Sequence, residues 1–225
     1  MSSELPSNDF LPEPLPASPL ALFAAWFDEA RERKVQPNPD AMVLATTGAD
    51  GTPTARVVLC KQVESSAGYI VFFTNYQSRK ARNLAGQPRA AVVFHWDRLH
   101  RQVRIEGRIV KSPGPESDEY FASRALASRI GAWASAQSEP LESRAALTAQ
   151  VAAAAGRFGV TPESSDAHVP RPPHWGGYRL WIETMELWVE GPGRVHDRAV
   201  WRRSLQPRDE FSFTTSNWAS TRLNP

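Results

Sequence analysis

The sequence predicts an α+β protein in which an antiparallel sheet curls into a barrel and helices pack around it. Three observations lead there. Five apolar runs of strand length, AMVLATT, TARVVLC, GYIVFFT, RAAVVFHW and RQVRIEGRIV, follow one another between residues 41 and 110. Most of their connections are too short for the crossover that a parallel pair requires. Helical patterns fall mainly before and after this block rather than between its strands.

Each element has its own signal. Leu20, Phe23, Trp26, Phe27 and Ala30 recur at helical spacing after Ser18, with charges clustered toward the end, which predicts a packed amphipathic helix. Gly48-Ala-Asp-Gly51 reads as a hairpin turn joining the first two strands. SRKARNLAGQP is a short helix before the fourth strand. ESDEYFASRALASRIGAWAS and EPLESRAALTAQVAAAAGRF are helical, and HVPRPPHW is a loop. Strands resume with GGYRLWIETMELWVE, a turn at Gly191-Pro192-Gly193, then RVHDRAVWRRSL and a last strand near EFSFTT.

The composition, 41% hydrophobic and 22% charged, is that of an ordinary globular protein, and no apolar stretch is long enough to cross a bilayer. The opening residues have neither a basic stretch nor an apolar core, so a cytoplasmic location is expected. Pro, Ser and Asn there suggest a flexible arm over residues 1–17, leaving 18–225 as one domain. The single cysteine, Cys60, excludes an internal disulfide and reads as a small core residue. A net charge of +2 without a recognisable binding motif gives no support to a nucleic-acid partner. His95, His100, His168, His174 and His196 lack metal-ligand spacing, so no metal is expected. Nucleotide-binding glycine motifs and a nucleophile elbow are missing as well.

Four segments carry potential chemistry. RVVLCK, residues 56–61, reads as a strand buried on both faces with a cation at each end, and Arg56 and Lys61 must each reach solvent or meet an anion. Arg79 and Lys80 sit in the first turn of a helix, where they oppose its dipole and suit a phosphate better than the fold. In IGAWASAQS, small residues flank Trp133 and are followed by Gln137 and Ser138, a pattern that fits close approach to a ligand or a helix end packing on the core. In RVHDR, Arg194, His196 and Arg198 share one face if the segment is a strand. Three such groups repel unless something negative lies opposite, which points to an anionic ligand.

In their order along the chain, RVVLCK, FFTNYQSRKA, RQVRIEG, ESDEYFASR, IGAWASAQS, WGGYR, RVHDR and a terminal RLNP resemble the pyridoxamine 5′-phosphate oxidase family from about Pro19 to Pro225. The resemblance implies an FMN-binding split β-barrel and a homodimer with FMN at the subunit interface. It implies FMN contacts from Arg56, Val57, Val58, Leu59, Cys60, Lys61, Phe73, Thr74, Arg79, Lys80, Gln102, Gln137, Ser138, Trp188 and Arg198. It places the phosphate of a B6 vitamer on Lys61, Tyr120, Arg124 and Ser128. Arg194 and His196 become the catalytic pair beside the vitamer's ring, orienting it and assisting proton loss. The implied reaction oxidises pyridoxine or pyridoxamine 5′-phosphate to pyridoxal 5′-phosphate, with O2 as acceptor and H2O2 as by-product. Two rival readings are a flavin oxidase of phenazine-type secondary metabolism and a non-enzymatic flavin- or pyridoxal-phosphate-binding protein. The chain departs from the family at Phe73 (commonly tyrosine), Ala125 (commonly proline) and Glu190, and residues 1–16 lack the family's Arg- and Tyr-containing lid segment.

Overall fold

A computed structural model describes residues 10–165 and 167–225. In chain order its elements are α1 (Leu20–Glu32), β1 (Ala41–Thr47), β2 (Pro53–Leu59), β3 (Gln62–Glu64), β4 (Tyr69–Asn75), α2 (Arg79–Gly86), β5 (Arg89–Trp96) and β6 (Arg101–Lys111). They continue with α3 (Gly114–Ala122), α4 (Leu126–Ala134), α5 (Arg144–Arg157), β7 (Trp175–Val189), β8 (Asp197–Arg202), β9 (Leu205–Pro207), β10 (Phe213–Thr215) and β11 (Ala219–Leu223).

The main sheet is antiparallel and runs β11-β8-β7-β6-β5-β1-β2, with β4 added to β7 and β3 to β4. β7 carries the branch, because its first half pairs with β4 and its second half with β8, while β6 follows it along most of its length. The β6–β7 register shifts between Glu106 and Gly107. A side chain at Gly107 would lie 1.8 Å from the Trp181 carbonyl oxygen, so only glycine permits this bulge. Branching and bulge together curl the sheet into the half-barrel expected from the short connections.

α1 closes one side of the half-barrel. Its apolar stripe at Leu20, Phe23, Trp26, Phe27 and Ala30 is buried as its spacing predicts, and Phe23 and Phe27 pack on Phe94 with ring centroids 5.5 and 5.9 Å apart. A second apolar cluster, around Phe121, Ile130 and Trp175, holds α3 and α4 against the start of β7.

Several expectations need correction. Residues 1–9 of the proposed flexible arm lie outside the described residues. Over 10–17 the chain is instead tied down: Leu11 is 4% exposed, its N–H donates to Asp197 Oδ2 at 2.7 Å, and Trp201 Nε1 donates to the Pro16 carbonyl at 2.9 Å. β2 is an edge strand rather than a doubly buried one, with Val57 65% exposed. The helical stretch over residues 116–135 breaks at Ser123–Ala125, where Ser123 Oγ donates to the Tyr120 carbonyl and Ala125 is extended. In RVHDR the strand begins only at Asp197; Arg194 occupies a tight turn with φ 66°. The strand near 213 pairs with β9 in a separate ribbon, and the segment that completes the main sheet is ASTRL, which has too few apolar residues to announce itself.

Candidate active site

A cleft of about 560 Å³ opens between β2, β4, the start of α2 and the α3–α4 region. That volume lies within the usual range for small-molecule sites. Of the residues singled out from the sequence, Arg56, Val57, Val58, Leu59, Lys61, Phe73, Thr74, Lys80, Tyr120, Arg124, Ser128 and Gln137 line it. Arg79 and Ser138 stand just behind, the Arg79 N–H donating to Ser138 Oγ at 3.2 Å. Asn75, Ser135 and Trp175 line it too and were not singled out. Asn75 had a signal of a kind, as the polar residue ending an apolar strand; its Nδ2 donates to the Ser135 carbonyl.

Part of the cleft lining is cationic. Lys80 is 8% exposed, and its Nζ donates to Thr74 Oγ1 at 3.0 Å, Gln137 Oε1 at 3.0 Å and Ser78 Oγ at 3.2 Å. All three partners are neutral. Burial, helped by the nearby Arg56 charge, pulls the Lys80 ammonium down to a pKa of about 8. Arg56 donates through Nη1 to the Leu44 carbonyl at 3.0 Å and Thr46 Oγ1 at 2.9 Å, and through Nη2 to Thr54 Oγ1 at 2.5 Å. Its pKa also falls, first through burial and then through Arg79. A buried ammonium and a half-buried guanidinium whose hydrogen-bond partners are all neutral oxygens suit an anion.

The cleft also has an aromatic wall and a further cation. Tyr120, Phe73 and Trp175 form a near-parallel stack, with centroids 3.9 Å apart for the first pair and 5.5 Å for the second. Phe73 takes part in this stack through its ring face, which needs no hydroxyl. Arg124, in the break between α3 and α4, lays its guanidinium 4.7 Å from the Trp175 ring centre, and its buried Nη1 has no partner. Burial lowers its pKa, opposed by Tyr120. Ser128 stands in the first turn of α4 beside it. Lys61 differs from these cations, since its Nζ meets Asp40 Oδ2 at 2.6 Å.

The remaining candidates are not brought to the cleft within one chain. Cys60 turns into the core at 1% exposure, its thiol donating to the Gln62 carbonyl and its pKa pushed up to about 12 by burial. It does not line the cleft and is the small core residue that its place in an apolar run predicts. Gln102, Trp188 and Arg198 align across β6, β7 and β8, and His196 lies 4.6 Å from the Trp188 ring. Arg194 belongs to the turn that precedes them. For Arg198, the anion that the like-charge argument called for lies inside the protein. Glu186 Oε1 accepts from Arg198 Nε and Nη2 at 3.0 and 2.8 Å, and Glu186 Oε2 accepts from Arg104 Nη1 at 3.0 Å. Glu186 was legible as a residue two before Trp188, and hence on its strand face.

No helix among the described residues is long and apolar enough to cross a membrane, and none of their His, Cys, Asp and Glu side chains form a group able to hold a metal. Residues 28–157 match the family model described as pyridoxamine 5′-phosphate oxidase, and residues 175–225 match that of the pyridoxine 5′-phosphate oxidase C-terminal dimerisation region. A curated relative from Burkholderia lata, named pyridoxine/pyridoxamine 5′-phosphate oxidase, is 51% identical over 207 residues, covering 92% of this chain and 89% of its own. A relative of the same name from Cupriavidus metallidurans is 44% identical across 100% of this chain and 95% of its own. Among solved structures, PhzG from Burkholderia lata 383, in complex with tetrahydrophenazine-1-carboxylic acid, is similar with a TM-score of 0.78 at 30% identity, covering 93% of this chain and 94% of PhzG. A pyridoxamine 5′-phosphate oxidase-related, FMN-binding protein from Nostoc punctiforme shares the fold, with a TM-score of 0.67 at 16% identity over 93% of this chain and 99% of that one. The chain belongs to the pyridoxamine 5′-phosphate oxidase family.

Proposed function

We propose that the protein is an FMN-dependent oxidase that converts pyridoxine or pyridoxamine 5′-phosphate to pyridoxal 5′-phosphate. The observation that carries the reading is Lys80: a covered ammonium with three neutral partners, lining a cleft that also holds Arg124, whose buried Nη1 has no partner. Several cations and an aromatic wall in one cleft suit two phosphorylated ring systems lying side by side. The residues present fit FMN, with Arg56, Arg79 and Lys80 holding its phosphate and Thr74, Gln137 and the β2 strand edge flanking its ring. When bound, FMN supplies a two-electron acceptor that takes a hydride from the vitamer's C4′ and passes the electrons to O2, giving H2O2.

The chain's own part is binding and alignment. Arg124, Ser128, Tyr120 and Lys61 hold the vitamer phosphate. Arg194 and His196 reach the vitamer from a second copy of the chain. His196 Nδ1 accepts from the Gly191 N–H at 3.2 Å, which leaves the ring proton of the neutral imidazole on Nε2. With Nδ1 so engaged, Nε2 is the ring atom that His196 would turn toward the substrate to orient it. The homodimer is supported by the match to a dimerisation region and by the apolar neighbours Val43 and Val57, exposed across the outer β1–β2 edge.

The likeness to PhzG favours one alternative, oxidation of a tricyclic aromatic carboxylic acid at the same site. Purified protein that shows a flavin absorption spectrum and bleaches when pyridoxine 5′-phosphate is added without oxygen supports the vitamer reading. Bleaching only by a reduced phenazine carboxylic acid favours the alternative. A yellow protein that stays oxidised with both is a binding protein, and a colourless one that takes up no FMN refutes all three.

A further inference from the structure

We infer that Asp40 is a positioning residue for Lys61 and lowers the affinity of the cleft for phosphorylated ligands, so that product can leave. The inference rests on the proposed function, in which Lys61 meets the vitamer phosphate. Of the cations that line the cleft, Lys61 is the one held by a carboxylate, at 2.6 Å from Asp40 Oδ2, whereas Lys80 and Arg56 have neutral partners and Arg124 Nη1 has none. The backbone around the pair is pinned on both sides. The Asp40 carbonyl accepts from the Cys60 N–H, and the Lys61 N–H donates to the Val71 carbonyl, both at 2.8 Å. What can move is the Lys61 side chain, four methylenes long and lining the cleft.

An ammonium has three donors, and the Asp40 contact leaves others for a ligand. A phosphate dianion brought to Lys61 is therefore brought toward the Asp40 carboxylate too. Either the two anions share one ammonium, or Lys61 leaves Asp40 for the phosphate and returns when the ligand departs. In both cases the carboxylate opposes phosphate binding, and does so selectively, because a ligand without the phosphate does not meet it.

Asp40→Asn keeps a hydrogen-bond acceptor for Lys61 and removes the charge. Titrating the flavin-loaded protein with pyridoxal 5′-phosphate, followed by the flavin spectrum, should give binding about tenfold tighter than in the unmodified protein. Affinity for unphosphorylated pyridoxal should not change. In turnover, KM for the phosphorylated vitamer and kcat should fall together, since the product leaves more slowly. Unchanged or weaker binding of pyridoxal 5′-phosphate overturns the inference while leaving the proposed function standing, as does an equal change for pyridoxal. Failure of the unmodified, flavin-loaded protein to bind pyridoxal 5′-phosphate at all overturns the vitamer reading and this inference with it.

Discussion

Two cation clusters on the same sheet are built in opposite ways. Around β6–β8, Arg104 and Arg198 converge on Glu186, whose two carboxylate oxygens serve both guanidinium groups. At the cleft, Lys80 and Arg56 converge on hydroxyls, an amide oxygen and a carbonyl, with no carboxylate among their partners. The first cluster is complete as folded. The second carries a desolvation cost that the fold leaves unmet, and the depressed pKa of Lys80 is the sign of it. Matched charge marks structure; unmatched, covered charge marks a place for an anion.

The sharpest way to break this contrast is Lys80→Met, which keeps most of the apolar stem and deletes the charge. FMN affinity should fall on the order of 100-fold, measured by flavin fluorescence titration, because a charge-assisted contact to phosphate is lost. The ligand-free protein should melt no lower than the unmodified one, since a covered, unmatched charge has been removed. A variant that keeps its flavin and melts lower would make Lys80 an ordinary structural residue.

A smaller effect follows from pH. Lys80 titrates at about 8 in the fold, below its ordinary value of 10.5. The protonated form is therefore the costly one in the ligand-free protein, and between about pH 8 and 10.5 the unfolded chain binds more protons than the folded one. Ligand-free stability should hence gain from this group as pH rises through that window, with no contribution to the slope below it. Phosphate needs the protonated form, so FMN affinity should weaken above pH 8, by up to about tenfold per pH unit from this one group. Titrations at pH 7, 8 and 9 check it, and Lys80→Met should flatten the profile.

Much of this was legible in the residues, and the failures have physical causes. The spacing of Phe23, Trp26 and Phe27 gave α1 its buried face, and short connections between apolar runs gave an antiparallel, curled sheet. Arg56 and Lys80 could be named from the residues as cations out of place and Arg124 through the family resemblance, and the fold brings all three to one cleft. Pairing was not legible. Nothing in RVHDR says that Glu186 lies across the ladder from it, and nothing in RVVLCK says that Lys61 finds Asp40 while Arg56 finds no acid. Ion pairing depends on register and loop geometry, whereas periodicity reports only which face a residue takes. Cys60 went the other way: its place in an apolar run read as a small core residue, and the fold buries it at 1% exposure.

The mildest test falls on the matched cluster. Glu186→Ala removes the acceptor of two arginines, yet neither is stranded: Arg198 Nη1 still donates to the Asn224 carbonyl at 3.1 Å and Arg104 Nη2 to Glu106 at 3.2 Å, both near solvent. The cost should therefore be about 1 kcal/mol, well short of what a deeply buried orphaned charge would bring. Denaturant melts of the ligand-free protein read it directly. FMN retention should move far less than in Lys80→Met, because the cleft's own cations are untouched. If Glu186→Ala instead strips the flavin as thoroughly as Lys80→Met, the two clusters act as halves of one site, joined across two copies of the chain, and the difference between them is one of assembly rather than of charge matching.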